Sequence, residues 1–191
     1  MKIIGGYARG VELAELGDQT GVRPTIGRSR EALFNALGDL TGARVLDLFS
    51  GSGALGLEAA SRGASSVVLV ELERARLPVI EANIAKVRKT GIPGEVALKN
   101  ADATLPERYL AGERFDLVFA DPPYENSLAA FRALATGKGE EFFPAFPGAR
   151  VVWELPDAPG STGNFIEHAD LSGAAWKLRR FGGTDFLWIG N

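Results

Sequence analysis

Cysteine is absent from this 191-residue chain, which excludes disulfides and thiolate metal sites. Histidine occurs once, at His168, and that argues against a histidine metal cluster and against a Ser-His-Asp triad. There is no excess of basic charge: 24 acidic residues face 21 Lys and Arg, for a formal net charge of −3. Any contact with nucleic acid must therefore come from a local basic face. No run of about 18 apolar residues exists, so no membrane-spanning helix is expected. The N-terminal "MKIIGGYARG" has neither the apolar core nor the small-residue cleavage site of a signal peptide. A cytoplasmic location is expected.

What is present fits one domain with a small appendage. At 46% hydrophobic residues the chain can bury a sizeable core. Short runs rich in Val and Leu recur: "RVLDLF" (44–49), "SVVLVE" (66–71), "EVALKN" (95–100), "FDLVFA" (115–120) and "ARVVWEL" (149–155). They alternate little between apolar and polar, as strands buried on both faces of a parallel sheet do. Helical spacing fills the gaps, over 53–63, about 73–90, about 104–111 and about 126–136. Pro78 marks either a kink or an early turn in the second of these. This order predicts a doubly wound α/β sheet. The end differs: "AWKLRRFG" (175–182) and "TDFLWIG" (184–190) read as a hairpin turning at Gly182 and Gly183, so an antiparallel strand should close the sheet. Residues 1–43 stand apart as an extension, expected to hold a β-hairpin over 2–16 and an amphipathic helix over 26–40. The main domain is expected over 44–191.

"VLDLFSGSGALGLE" (45–58) places Gly51, Gly53 and Gly56 in G-x-G-x-x-G spacing between a strand and a helix. Glycines there permit a tight turn and close backbone approach to a ligand at the helix N-terminus. Glu71 ends the next strand, 20 residues after Gly51, where a carboxylate can accept both hydroxyls of a ribose. Together they indicate an adenosine-containing cofactor. Asp47 narrows the choice. An acid inside the first strand opposes a pyrophosphate but suits the cationic amine of S-adenosylmethionine (AdoMet). The alternative is that Asp47 caps a turn. Asp102, after the third strand, can accept a hydrogen bond from the adenine amino group, or else N-cap the helix expected near 104.

"FADPPYE" (119–125) ends an apolar strand with an acid, two prolines and an aromatic ring. Proline cannot donate to a sheet ladder, so the strand stops and the loop is stiff. Ligands of such sheets bind beyond the strands' carboxyl ends. Methyl transfer to an exocyclic base amine must first localise a nitrogen lone pair that is delocalised into the ring. Asp121 and the Pro122 carbonyl can accept the two N–H hydrogens, and Tyr124 can stack on an unstacked base. The remaining task is alignment for in-line displacement. No metal is needed. The plainer reading of these residues is a rigid turn.

"DLFSGSGALGLE" with Glu71 and then "DPPY" resembles the class I AdoMet-dependent amino-methyltransferases. "MKIIGGYARGVEL", "GVRPTIGRSREALFNAL" and "GGTDFLWIG" further resemble the bacterial 16S ribosomal RNA guanine-N2 methyltransferases of the small subunit. The resemblance covers essentially the whole chain. It implies a Rossmann-like, mostly parallel seven-stranded sheet with an antiparallel C-terminal strand. It implies a catalytic loop of Asp121, Pro122, Pro123 and Tyr124. The expected AdoMet set is Asp47, Phe49, Gly51, Gly53, Glu71, Asp102 and Ala103. Lys2, Arg9, Arg23, Arg28 and Arg30 are expected to face 16S rRNA, although a basic residue on a helix is often only a solvated face. Glu12 and Glu15 stand where members of the resembled family are usually more basic, which argues against strong binding to naked RNA and leaves room for recognition of the small subunit or its assembly intermediate. A monomer without metal is expected. Competing classes are a DNA adenine-N6 methyltransferase, an NAD-dependent oxidoreductase, and a non-catalytic RNA-binding protein. The first usually carries a target-recognition domain, for which 191 residues leave no room.

Overall fold

The computed structural model describes residues 1–15, 24–137, 142–156, 160–172 and 174–190, the side chains of 24–26 excepted. The elements run α1 (Pro24–Leu37), β1 (Arg44–Leu48), α2 (Ala54–Ser61), β2 (Ser66–Glu71), α3 (Leu77–Arg88), β3 (Glu95–Asn100), β4 (Leu117–Ala120), α4 (Ser127–Leu134), β5 (Arg150–Glu154), α5 (Ser161–His168), β6 (Trp176–Phe181) and β7 (Thr184–Ile189). One seven-stranded sheet has the order β3-β2-β1-β4-β5-β7-β6. The pairs from β3 to β5 are parallel, and β7 runs antiparallel to both β5 and β6. The chain leaves β1 toward β2 and returns on the other side as β4. The crevice beyond the carboxyl ends of β1 and β4 is thus a topological switch point.

Burial explains the composition of the strands. Almost every residue of β1, β2, β4 and β7 is buried, because helices cover both faces. One layer gathers Leu46, Val118, Phe131 and Trp153, and the other gathers Phe34, Leu57, Leu69, Phe119 and Trp188. The two edge strands are mostly exposed along their length. Ile3, Ala8, Leu13, Leu33 and Phe34 of the N-terminal extension belong to the second layer, so this extension and the sheet share one core.

Four expectations are adjusted. The segment 104–111 forms only a single 3-10 turn at Pro106–Arg108. Tyr109 folds inward and donates to the Ala103 carbonyl (2.8 Å), which closes the segment before a second turn can form. Pro78 lies in the first turn of α3, where its missing N–H has no helical partner to lose, so it starts the helix and does not kink it. The hairpin expected over 2–16 is short among the described residues, with one antiparallel bridge, Lys2 to Glu12, flanked by the Ile3 N–H on the Val11 carbonyl (3.0 Å) and the Leu13 N–H on the Met1 carbonyl (2.8 Å). Finally, the antiparallel strand β7 is inserted between β5 and β6, because "DFLWI" is apolar enough to be covered on both faces while "WKLRRF" takes the edge.

The N-terminal segment is clamped onto the end of α2. Glu58, fully buried, accepts the N–H groups of Ile4 (2.8 Å) and Gly5 (2.9 Å) and the Arg62 guanidinium (2.8 Å). The Ser61 carbonyl accepts the Tyr7 N–H at 2.7 Å. Gly6 has φ +75°, and a Cβ there would lie 1.8 Å from that same carbonyl oxygen, so only glycine fits.

Candidate active site

The loop after β1 is built for close approach. Phe49 adopts φ +58°, a left-handed conformation uncommon for a bulky residue. Gly51 (φ +57°) and Gly53 (φ +79°) complete the turn into α2. The Ser50 N–H donates to the Val70 carbonyl at 3.0 Å and fastens the loop to β2. Gly56 is required by packing: a Cβ there would lie 2.3 Å from Leu69 Cδ2 and 3.0 Å from the Asp47 carboxylate. Asn83 of α3, fully buried, donates to the Ser52 carbonyl (3.0 Å) and pairs with both backbone groups of Ala14. It ties the glycine loop to the N-terminal segment.

Three carboxylates converge here. Glu71 accepts the Gly51 N–H (2.9 Å) and the Glu73 N–H (2.8 Å), which fixes its orientation. Asp47 accepts the Gly56 N–H at 2.8 Å, so it does cap the first turn of α2 as the plainer reading held. Its other oxygen meets no donor among the described residues. Burial pushes the Asp47 carboxyl up to about 8 against the pull of that N–H, and the charges of Asp121 and Glu71 push it further the same way. Asp121 follows β4. Protein atoms around the cleft desolvate its carboxyl and push it up to about 6, even though much of the side chain still meets solvent.

Asp102 accepts the Thr104 N–H (2.9 Å) and the Thr104 hydroxyl (2.7 Å) through one oxygen. That is a local turn and not the helix N-cap of the alternative reading, since the 3-10 turn that follows starts after Leu105, and the other Asp102 oxygen is left for a ligand. Pro122 is buried, Pro123 precedes a 3-10 turn at Tyr124–Asn126, and Tyr124 is 45% exposed.

A single cleft of about 1380 Å³ brings together Asp47, Phe49, Gly51, Glu71, Asp102, Ala103 and the run Asp121 to Tyr124. Gly53 does not line it, and acts by turning the backbone. Of the expected RNA-facing residues, Arg9 and Arg28 are exposed, and Lys2 is exposed beside Glu12 at 3.1 Å. Arg23 lies outside the described residues. Arg30 is a correction: it is only 4% exposed and donates to the Met1 sulfur and the Lys2 carbonyl, 3.9 Å from Glu58. Its charge serves the clamp, which is why it is unavailable at the surface. The cleft also takes in Leu72, Arg76, Glu154, Thr184 and Phe186, which sequence reasoning passed over. Glu154 carried the signal of Glu71 and Asp121, an acid closing an apolar strand. Thr184 and Phe186 carried none, because they enter from the antiparallel strand. Among the described residues no group of three or more metal-ligating side chains occurs. No helix among them is long and apolar enough to cross a membrane.

Comparison with known proteins adds to this geometry. Residues 1–141 match the family model described as conserved hypothetical protein 95. Ribosomal RNA small subunit methyltransferase D of Escherichia coli (strain K12) is 40% identical over 129 residues, which are 67% of this chain and 62% of that protein's length. Among solved structures, hypothetical protein TTHA0928 of Thermus thermophilus matches with a TM-score of 0.68 at 28% identity, covering 100% of this chain and 99% of that one. A fibrillarin of Aeropyrum pernix with natively bound S-adenosyl-L-methionine matches in fold alone, with a TM-score of 0.60 at 15% identity over 86% of this chain and 73% of that one. The fold is that of class I methyltransferases.

Proposed function

Because the chain belongs to the family described as conserved hypothetical protein 95, we propose on that premise that it transfers a methyl group from AdoMet to 16S ribosomal RNA, at the exocyclic N2 amine of one guanine of the small ribosomal subunit. The observation that carries this reading is the convergence of the glycine loop, the strand-end acids and the Asp121–Tyr124 loop on one cleft.

The donor set fits AdoMet. Burial pushes the Asp47 carboxyl above its ordinary range, and repulsion from Asp121 and Glu71 adds to the shift. A cationic amine relieves that repulsion, whereas a pyrophosphate would add to it. This disfavours a nicotinamide dinucleotide. Asp47, Phe49, Gly51, Glu71, Asp102 and Ala103 would hold AdoMet, with Gly53 shaping the loop. When bound, AdoMet supplies an electrophilic methyl group. The protein's residues do the rest. The Asp121 carboxylate and the Pro122 carbonyl accept the N–H hydrogens of the target amine and free its lone pair. Pro122 and Pro123 keep the carbonyl aimed, and Tyr124 offers its ring to the unstacked base. The enzyme works as a monomer in the cytoplasm, where its ribosomal substrate is made. The second reading, an amino-methyltransferase for adenine N6 in DNA, shares the Asp121–Tyr124 chemistry.

Asp121→Ala tests the assignment of roles. Its rate of methyl transfer should fall by roughly 10²–10⁴-fold, while calorimetry finds AdoMet affinity within about twofold of wild type. Equal loss of AdoMet binding would move Asp121 from the target amine to the cofactor.

A further inference from the structure

The edge strand β6 carries Lys177, Arg179 and Arg180 among its six residues and no acid, in a chain of formal net charge −3. Arg180 is neutralised by a two-pronged contact with Asp185, at 2.6 and 2.7 Å. Lys177 and Arg179 have no acidic partner among the described residues, and both are exposed. In the β6–β7 ladder Lys177 stands opposite Trp188 and Arg179 opposite Phe186. Directly opposed residues share a sheet face. Trp188 and Phe186 belong to the layer that contains Leu33 and Phe34 of α1, so both cations lie on the α1 face. The Arg179 guanidinium is held 4.5 Å from the centre of the Trp188 ring, which fixes the charge at the surface without cancelling it.

This face leads to the cleft. α1 packs across β6 and β7. The Ser29 and Thr184 hydroxyls are 3.1 Å apart, and a Cβ on Gly182 would lie 2.7 Å from the Ser29 nitrogen. Ser29 and Thr184 both line the cleft that holds Asp121. Exposed Arg28 precedes Ser29. We propose that Arg28, Lys177 and Arg179 form a continuous phosphate-binding track for substrate RNA, running along the β6 edge into the cleft. The inference rests on the proposed RNA substrate and adds a surface far in sequence from the N-terminal extension. Charge complementarity selects the occupant. The cations line the face that meets the cleft, whereas exposed Trp176 and Leu178 alternate onto the opposite face.

The test uses the full chain with small ribosomal subunits lacking the modification, titrated from 50 to 200 mM KCl at constant magnesium. Lys177→Glu with Arg179→Glu should weaken subunit binding by at least about tenfold. It should also reduce the slope of log affinity against log salt by roughly 1.5, since each phosphate contact contributes about 0.7–0.9. Lys177→Glu alone, at a side chain with no stacking role, should give about half that change in slope. AdoMet affinity unchanged within about twofold certifies the fold. Unchanged affinity and slope in the double variant, beside a wild type that methylates the subunits, overturn the track and leave the function intact. Loss of binding caused by Trp176→Ser with Leu178→Ser and not by the charge variants also overturns it, in favour of a protein partner. A wild type that binds subunits but methylates nothing in them strikes the proposed function instead.

Discussion

Two buried carboxylates sit at opposite ends of α2 and behave as opposites. Glu58, near the helix's end, has a donor for each oxygen: the Ile4 and Gly5 N–H groups, Arg62, and Arg30 nearby. Asp47, beneath the helix's start, has the Gly56 N–H and two neighbouring acids. A buried charge is tolerated when its lone pairs are matched. Glu58 meets that condition within the folded chain and holds the N-terminal segment in place. Asp47 does not, and it borders a cleft. An unmatched acid at a ligand-sized opening is poised for a cation from outside, and this is the physical core of the AdoMet proposal.

Removing the matched acid should have the largest effect. Glu58→Ala leaves the Ile4 and Gly5 N–H groups and Arg62 without their acceptor, and buried Arg30 without its nearby counter-charge. It should cost about 3–5 kcal/mol of stability, a fall in melting temperature of roughly 6–20 °C for a chain of this size. A melting temperature unchanged in calorimetry would show that the clamp is incidental.

Neutralising the unmatched acid should do the reverse. Asp47 has a folded-state pKa above its ordinary carboxyl value, so its favourable contribution is present below about pH 4 and is lost as pH rises toward 8. Asp47→Asn keeps an acceptor for the Gly56 N–H and removes the charge. At pH 8 and without ligand the variant should melt at or above wild type, yet bind AdoMet about tenfold or more weakly, near 1.4 kcal/mol. Lower stability together with normal AdoMet binding would reverse the contrast with Glu58.

A smaller effect should appear in the pH profile. Asp121 must be ionised to accept an N–H hydrogen, and its carboxyl is pushed up to about 6. The single-turnover rate should be level above pH 7 and decline as pH falls through about 6. A rate unchanged down to pH 5 would remove the carboxylate from the chemical step.

Much of this contrast was legible in the sequence, because strand-end acids and glycine spacing are local signals. Gly51, Glu71, Asp102 and Asp121 could be assigned to one rim from the order of strands alone, and Asp47 to the strand beneath it. The partners of Glu58 were not legible. Its backbone donors, Ile4 and Gly5, lie more than 50 positions away, and a glutamate inside a helix, with Arg62 one turn on, reads as solvated until tertiary packing covers it. The same blindness put Arg30 on the surface. Its neighbour Arg28 has the same local sequence character, and only the rotation of α1 against the sheet separates the buried cation from the exposed one. The β6 cations were readable as a basic run, but their link to the cleft depends on β7 being inserted next to β5. Sequence order does not specify that insertion.

The central claim is tested most directly by incubating the protein with methyl-labelled AdoMet and small ribosomal subunits lacking the modification, then mapping the label by mass spectrometry. The account predicts N2-methylguanine at a single site of 16S rRNA. Measurable AdoMet binding with no label in the RNA would contradict it.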